Sequence, residues 1–144
     1  MGNYLKLCVT VLLSAFVLSG CTIGGSAFQK VGTIQQDEAV VYVYRPQAFV
    51  GGGVMYDLYA NGQKLTTLVH TSYIPYKAPA GDVTFRVITA MHGYQATLDL
   101  KTEPGKSYYV RGGTERIKGG HHQPTLTLVP NDVGEAEISR CVKY

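Results

Sequence analysis

The groups in this 144-residue chain that could do chemistry are four histidines, three cysteines, ten carboxylates and a scatter of hydroxyls. His121 and His122 follow Gly119-Gly120, where two imidazoles could meet one metal ion if Glu115 or Asp132 completed the site. Adjacent side chains point apart in extended chain, so His121 and His122 are weak metal candidates and no metal is assigned. His70 and His92 lie in or beside expected strands with no Cys, Asp or second His at ligand spacing, and read as solvated or hydrogen-bonded. There is no Gly-x-Ser-x-Gly elbow and no Ser-x-x-Lys for nucleophilic catalysis. Gly51-Gly52-Gly53 lacks the Gly-Lys-Ser/Thr and the following helix of a phosphate loop. Asp57, Asp99 and Glu103 are spread over strands and turns, the first two on faces opposite the core. The expectation is a non-enzymatic protein with no catalytic residues and no cofactor.

Cys21 is different. Lys6 is the only charge before the apolar run Leu7–Val17, and Leu18-Ser19-Gly20 then leads into Cys21, the layout of an export signal. The apolar run is short for a bilayer span. The Leu18–Cys21 stretch resembles the lipobox of bacterial lipoproteins, in which the thiol takes a diacylglyceryl group and becomes the first mature residue. The resemblance implies lipidation of Cys21 and anchoring by two or three acyl chains, each buried methylene contributing about 0.8 kcal/mol. Thr22, where an Asp would often retain such a protein at the inner membrane, implies outer-membrane sorting facing the periplasm if the host is Gram-negative.

Loss of residues 1–20 leaves twelve basic and ten acidic side chains, scattered rather than clustered, which argues against a nucleic-acid partner. Cys8 leaves with the signal and Cys21 carries lipid, so Cys141 is the one free thiol. It is either packed away or forms an intermolecular disulfide that would make a homodimer. The polar, glycine-rich segment up to residue 38 reads as a flexible tether, which gives a signal at 1–20, lipidated Cys and tether at 21–38, and a domain at 39–144.

Within the domain, strand formers recur between turn residues. Ala39–Tyr44 is apolar at both parities, as in a strand covered on both faces. Runs follow at 54–60, 64–69, 72–77, 83–88, 96–101, 107–111 and 125–129, and Asn61-Gly62 is a strong hairpin signal. Asn131 or Asp132 could cap a short helix through Arg140, with Glu135 in capping-box spacing and Val133, Ala136 and Ile138 facing inward. The pattern predicts an all-β single sandwich of 7–8 short antiparallel strands plus a C-terminal helix, with a small barrel as the alternative.

Val41-Tyr42-Val43-Tyr44-Arg45-Pro46, Tyr56–Gly62, Pro79-Ala80-Gly81 and Pro104–Val110 together resemble small bacterial lipoproteins carrying a domain of unknown function. They are also similar to PEGA-type envelope modules. The resemblance implies a sandwich of immunoglobulin or prealbumin type and an envelope location, and brings no catalytic residues. Ten tyrosines remain in the mature chain, and Tyr59, Tyr73, Tyr76, Tyr94 and Tyr109 are candidates for one outer face that binds a protein or a glycan. The expected function is a lipid-anchored binding or accessory module for an envelope protein or wall polysaccharide such as peptidoglycan. The alternative is a metal-dependent or hydrolytic enzyme using the His121-His122 loop.

Overall fold

β1 (Glu38–Arg45) is buried along almost its whole length because material covers both of its faces. The computed structural model describes residues 25–48 and 51–144, so the expected signal segment and the expected lipidation site Cys21 lie outside the described residues. The remaining elements are β2 (Tyr56–Ala60), β3 (Gln63–Leu68), β4 (Ser72–Pro79), β5 (Gly81–Thr89), β6 (Gln95–Thr102), β7 (Ser107–Arg116), β8 (His122–Val129), α1 (Asn131–Ile138) and β9 (Val142–Lys143). They form a five-stranded sheet, β8-β7-β1-β4-β9, and a four-stranded sheet, β3-β2-β5-β6. This is the sandwich-like all-β fold that the alternating runs predict.

Between the sheets lie Val41, Val43 and Val110 from one side and Tyr56, Leu58, Phe85 and Val87 from the other, with Tyr76 edge-on to Phe85. A second apolar cluster covers the outer face of the five-stranded sheet. Val40, Tyr42, Tyr44, Tyr73 and Tyr109 point there, beneath Phe28, Val31, Ile34, Ile138 and Cys141. The alternating parity of β1 therefore feeds two cores, and the double burial expected of it has this cause.

Three features depart from the expectations. The sheet is not wholly antiparallel: β1 runs parallel to β7, and β4 parallel to β9. After β1 the chain crosses to β2 in the other sheet, so the β7 neighbour of β1 arrives by a long crossover and the hairpin rule does not apply. The second departure is the tether. From Ala27 the chain is a strap: Ala27 bridges Val142, Phe28 packs edge-on to Tyr42 and Tyr73 at 5.3 and 5.2 Å, and the Val31 amide donates to Tyr42 Oη at 2.7 Å. Three apolar residues in a polar stretch, at 28, 31 and 34, were enough to dock it. Phe28→Ala is expected to lower stability by roughly 2 kcal/mol, less than a fully buried Phe because the ring is only partly buried, as read by urea denaturation.

α1 also differs from its expectation. Pro130 occupies the N-cap, no side chain caps the helix, and the capping box does not form. Gly134 and Ile138 face inward, while Val133 and Ala136 face solvent. The helix presses so close to the sheet that a Cβ on Gly134 would lie 2.3 Å from Tyr109 Cβ.

Candidate functional site

Strand direction gathers the longer connections at one end of the sandwich. Arg45 pairs with Ser72, Tyr56 with both Leu68 and Thr89, and Arg116 with His122, so the β1–β2, β3–β4, β5–β6 and β7–β8 connections share that end. Hydrogen bonds tie them together. Arg45 is 1% exposed, lies 4.2 Å over the Tyr56 ring, and donates from its two terminal nitrogens to the Val54 and Gly51 carbonyls. The planar guanidinium suits this double task of stacking and forked donation. Burial pushes its pKa below the ordinary value. Tyr56 Oη bonds Thr114 Oγ1, and His70 Nε2 accepts from the Ala48 amide at 2.8 Å. His70 is thus a loop latch, in keeping with the hydrogen-bonded reading of its surroundings.

Beside this clamp the β5–β6 turn meets the β7–β8 turn. Their junction is a cleft of about 200 Å³ lined by Val54, Thr89, Met91, His92, Gly120, His121 and His122. The His92 and His121 rings sit 6.1 Å apart, with Tyr94 5.9 Å from His92 and 6.3 Å from His121. His122 already belongs to β8, and His121 closes the turn by accepting the Ile117 amide at its carbonyl. The expected third ligands are elsewhere: Glu115 accepts from Gln123 on the neighbouring strand, and Asp132 stands in α1 beyond the far end of β8. Among the described residues no three His, Cys, Asp or Glu side chains converge to hold a metal. The histidine that joins His121 is His92, 29 positions away, and only the side-by-side placement of two turns reveals it.

The five candidate tyrosines do not share a face. Tyr73 and Tyr109 are buried under the strap and α1, and Tyr76 points between the sheets. Tyr94 borders the histidine cleft. Tyr59 alone lies on the open outer face of the four-stranded sheet, with the Arg86 guanidinium 5.0 Å over its ring. Tyr73 and Tyr76 stand three apart on β4 and so have opposite parity, which already rules out one shared face, and alternation cannot say which face is covered. On the same face Asp57 is held below the usual carboxylate range by Lys64 and then by Thr67, and Thr84 donates to Asp99 at 2.6 Å.

Cys141 is 1% exposed, and its thiol points at the Arg45 carbonyl 3.6 Å away. Burial, then the Glu137 carboxylate, pushes it from 9.0 up to about 11. A thiol so placed has little access to a partner chain and little thiolate character, which favours the packed alternative over the intermolecular disulfide. Non-reducing gels of the native protein should show monomer, and a thiol reagent should react with Cys141 only after denaturation.

Nearby, Tyr44 Oη donates to Glu137 at 2.5 Å and Arg111 donates to the other Glu137 oxygen at 2.9 Å. Burial, reinforced by Glu137 at Tyr44 and by Glu135 at Tyr109, raises both phenols well above 10.0. These three groups stay protonated in the fold and ionise in the unfolded chain, so their contribution is full below about pH 9. It falls as pH rises through the unfolded values and, for the thiol, is gone above about 11. Denaturation midpoints should therefore drop steeply above pH 9, and Cys141→Ala should delay the first part of that drop.

Together these features define a small all-β sandwich, one outer face covered and the other open, with a histidine-lined cleft among the loops. The chain belongs to the DUF2846 family, a family of unknown function whose pattern matches residues 35–122. That span runs from just before β1 to the start of β8, including both halves of the cleft but neither the earlier strap nor α1. No curated protein matches the chain.

Proposed function

We propose that the protein is a lipid-anchored envelope module that works by binding, with the open face of the four-stranded sheet as its partner surface. The observation that carries this reading is the asymmetry of the sandwich. One outer face is sealed by the strap and α1, whereas the other presents Tyr59 under Arg86 among the Asp57–Lys64 and Thr84–Asp99 pairs. A rigid aromatic stacked by a guanidinium and surrounded by paired polar groups suits a protein surface or a glycan ring. The Leu18–Cys21 stretch supports the anchor, the likeness to small envelope lipoproteins and PEGA-type modules supports the setting, and outer-membrane sorting in a Gram-negative host follows from Thr22.

A photo-crosslinking residue at Tyr59 in living cells should capture a reproducible envelope protein or wall fragment, and the same residue at Ala136 on α1 should not. Equal capture at the two positions, or none at Tyr59, would overturn the partner surface. Cys21→Ser should move the protein out of the membrane fraction and remove acyl mass from its N-terminal peptide.

A second reading, chemistry at the histidine cleft, rests on the meeting of His92 and His121. Stoichiometric metal lost on His92→Ala and His121→Ala would support it over pure binding.

A further inference from the structure

Resting on the lipid-anchor reading of Cys21, we infer that the loop end of the sandwich lies against an anionic phospholipid surface, with Met91 and Met55 touching the headgroup layer. The first reason is where the chain enters the fold. The Ser26 carbonyl accepts the Lys143 amide, the Val142 amide donates to the Thr71 carbonyl, and a Cβ on Gly25 would lie 2.7 Å from Val142 Cβ. Gly25 therefore sits beside the β3–β4 turn, at the same end as the cleft. Four peptide units join Cys21 to Gly25, a reach of at most about 14 Å. Strands at either edge of the five-stranded sheet are only about 19 Å apart, so so short a leash holds the whole loop end near the bilayer.

The second reason is charge. Residues 46–48, 51–55, 69–71, 90–94, 117–121 and 139–144, which make up that end among the described residues, contain no Asp or Glu side chain. They contain Lys118, Arg140 and Lys143, with Arg116 at the end of β7, and none of these four forms an ion pair among the described residues. Glu115 and Asp57 each stand one residue in from that end, Asp57 paired with Lys64, and Glu137 accepts from Tyr44 next to Arg45 while paired with Arg111. The opposite end holds Asp37, Glu38, Asp82, Glu103 and Asp132, with Lys77, Lys101 and Lys106 among them. A domain basic at its tethered end and acidic at its far end is oriented by a negative surface.

The third reason is exposure. Met91 is 86% and Met55 56% exposed, at the tip of the β5–β6 turn and at the mouth of β2. Unbranched, polarizable thioethers on an otherwise polar end suit an irregular, partly apolar surface such as the headgroup layer.

The test uses the full lipidated protein in vesicles of phosphatidylglycerol or phosphatidylcholine that carry a lipid-borne quencher. A fluorophore is placed on Met91→Cys or on Glu103→Cys, about 25 Å apart along the strands. Acylated Cys21 and buried Cys141 leave the introduced thiol as the reactive one. The Met91→Cys label should be quenched strongly in phosphatidylglycerol and the Glu103→Cys label should not. Arg116→Glu with Lys118→Glu should weaken the contact, each basic residue near such a surface being worth about fivefold in partitioning. Equal quenching at both positions in acylated, vesicle-bound protein overturns the orientation while leaving the anchor intact. Protein without acyl mass that does not float with vesicles overturns the anchor reading and this inference with it.

Discussion

Gly134→Ala is expected to destabilise the protein by roughly 3 kcal/mol, although in an isolated helix the same change would stabilise by about 1 kcal/mol. The sign reverses because of what the added methyl would meet. A Cβ on Gly134 falls 2.3 Å from both Cβ and Cγ of Tyr109, atoms that cannot swing away. Tyr109 is itself stacked on Tyr42 at 5.2 Å, so the pressure passes to the centre of the five-stranded sheet. The helix must lift, and Ile138, Cys141 and the Glu137 contacts to Tyr44 and Arg111 lift with it. Urea denaturation of wild type and variant measures the effect; an unchanged or raised midpoint would mean that α1 does not seat on Tyr109.

Arg45→Met is expected to cost about as much, roughly 3 kcal/mol, and to loosen the loop end. Methionine fills the space over Tyr56 but donates no hydrogen bond, leaving the Val54 and Gly51 carbonyls without their partner. Arg45→Lys should recover only part of the loss, since an ammonium neither stacks flat on Tyr56 nor forks between two carbonyls. Amide exchange should show the damage concentrated at Gly51–Val54 and around Thr114. A uniform loss across both sheets would place the role of Arg45 elsewhere.

Much of the fold is legible in the sequence because short-range rules decide it. Strict alternation in β5 and β6 gives their faces, and Asn61 and Gly62, with φ of 48° and 81°, make the tight turn their types demand. The apolar run of β1 announces burial on both sides. What covers it is not legible: Phe28, Val31 and Ile34 carry no helix or strand period, and their docking depends on tyrosines presented from three strands. The β1–β7 and β4–β9 parallel pairings escape for the same reason, since no turn of fixed length joins parallel neighbours. Gly112-Gly113 looks like a strand stop, yet β7 runs through it, because Thr125 Oγ1 and Leu68 Cδ2 occupy the space a side chain would need. The His92–His121 meeting needs the two turns placed side by side, and Arg45 reads from sequence only as the end of a strand.

The strap joins fold to function. With the proposed anchor at Cys21, residues from 25 onward that belong to the domain leave a leash of four residues and turn the loop end to the bilayer, whereas free ones would hang the domain on a long tether with no fixed orientation. Amide hydrogen exchange across residues 27–34 in the membrane-anchored protein decides between these. Slow exchange is expected at Val31, whose amide donates to the buried Tyr42 hydroxyl, and at Lys143, bonded to Ser26. Exchange at unstructured-chain rates across that segment, with the sheets still protected, would contradict it.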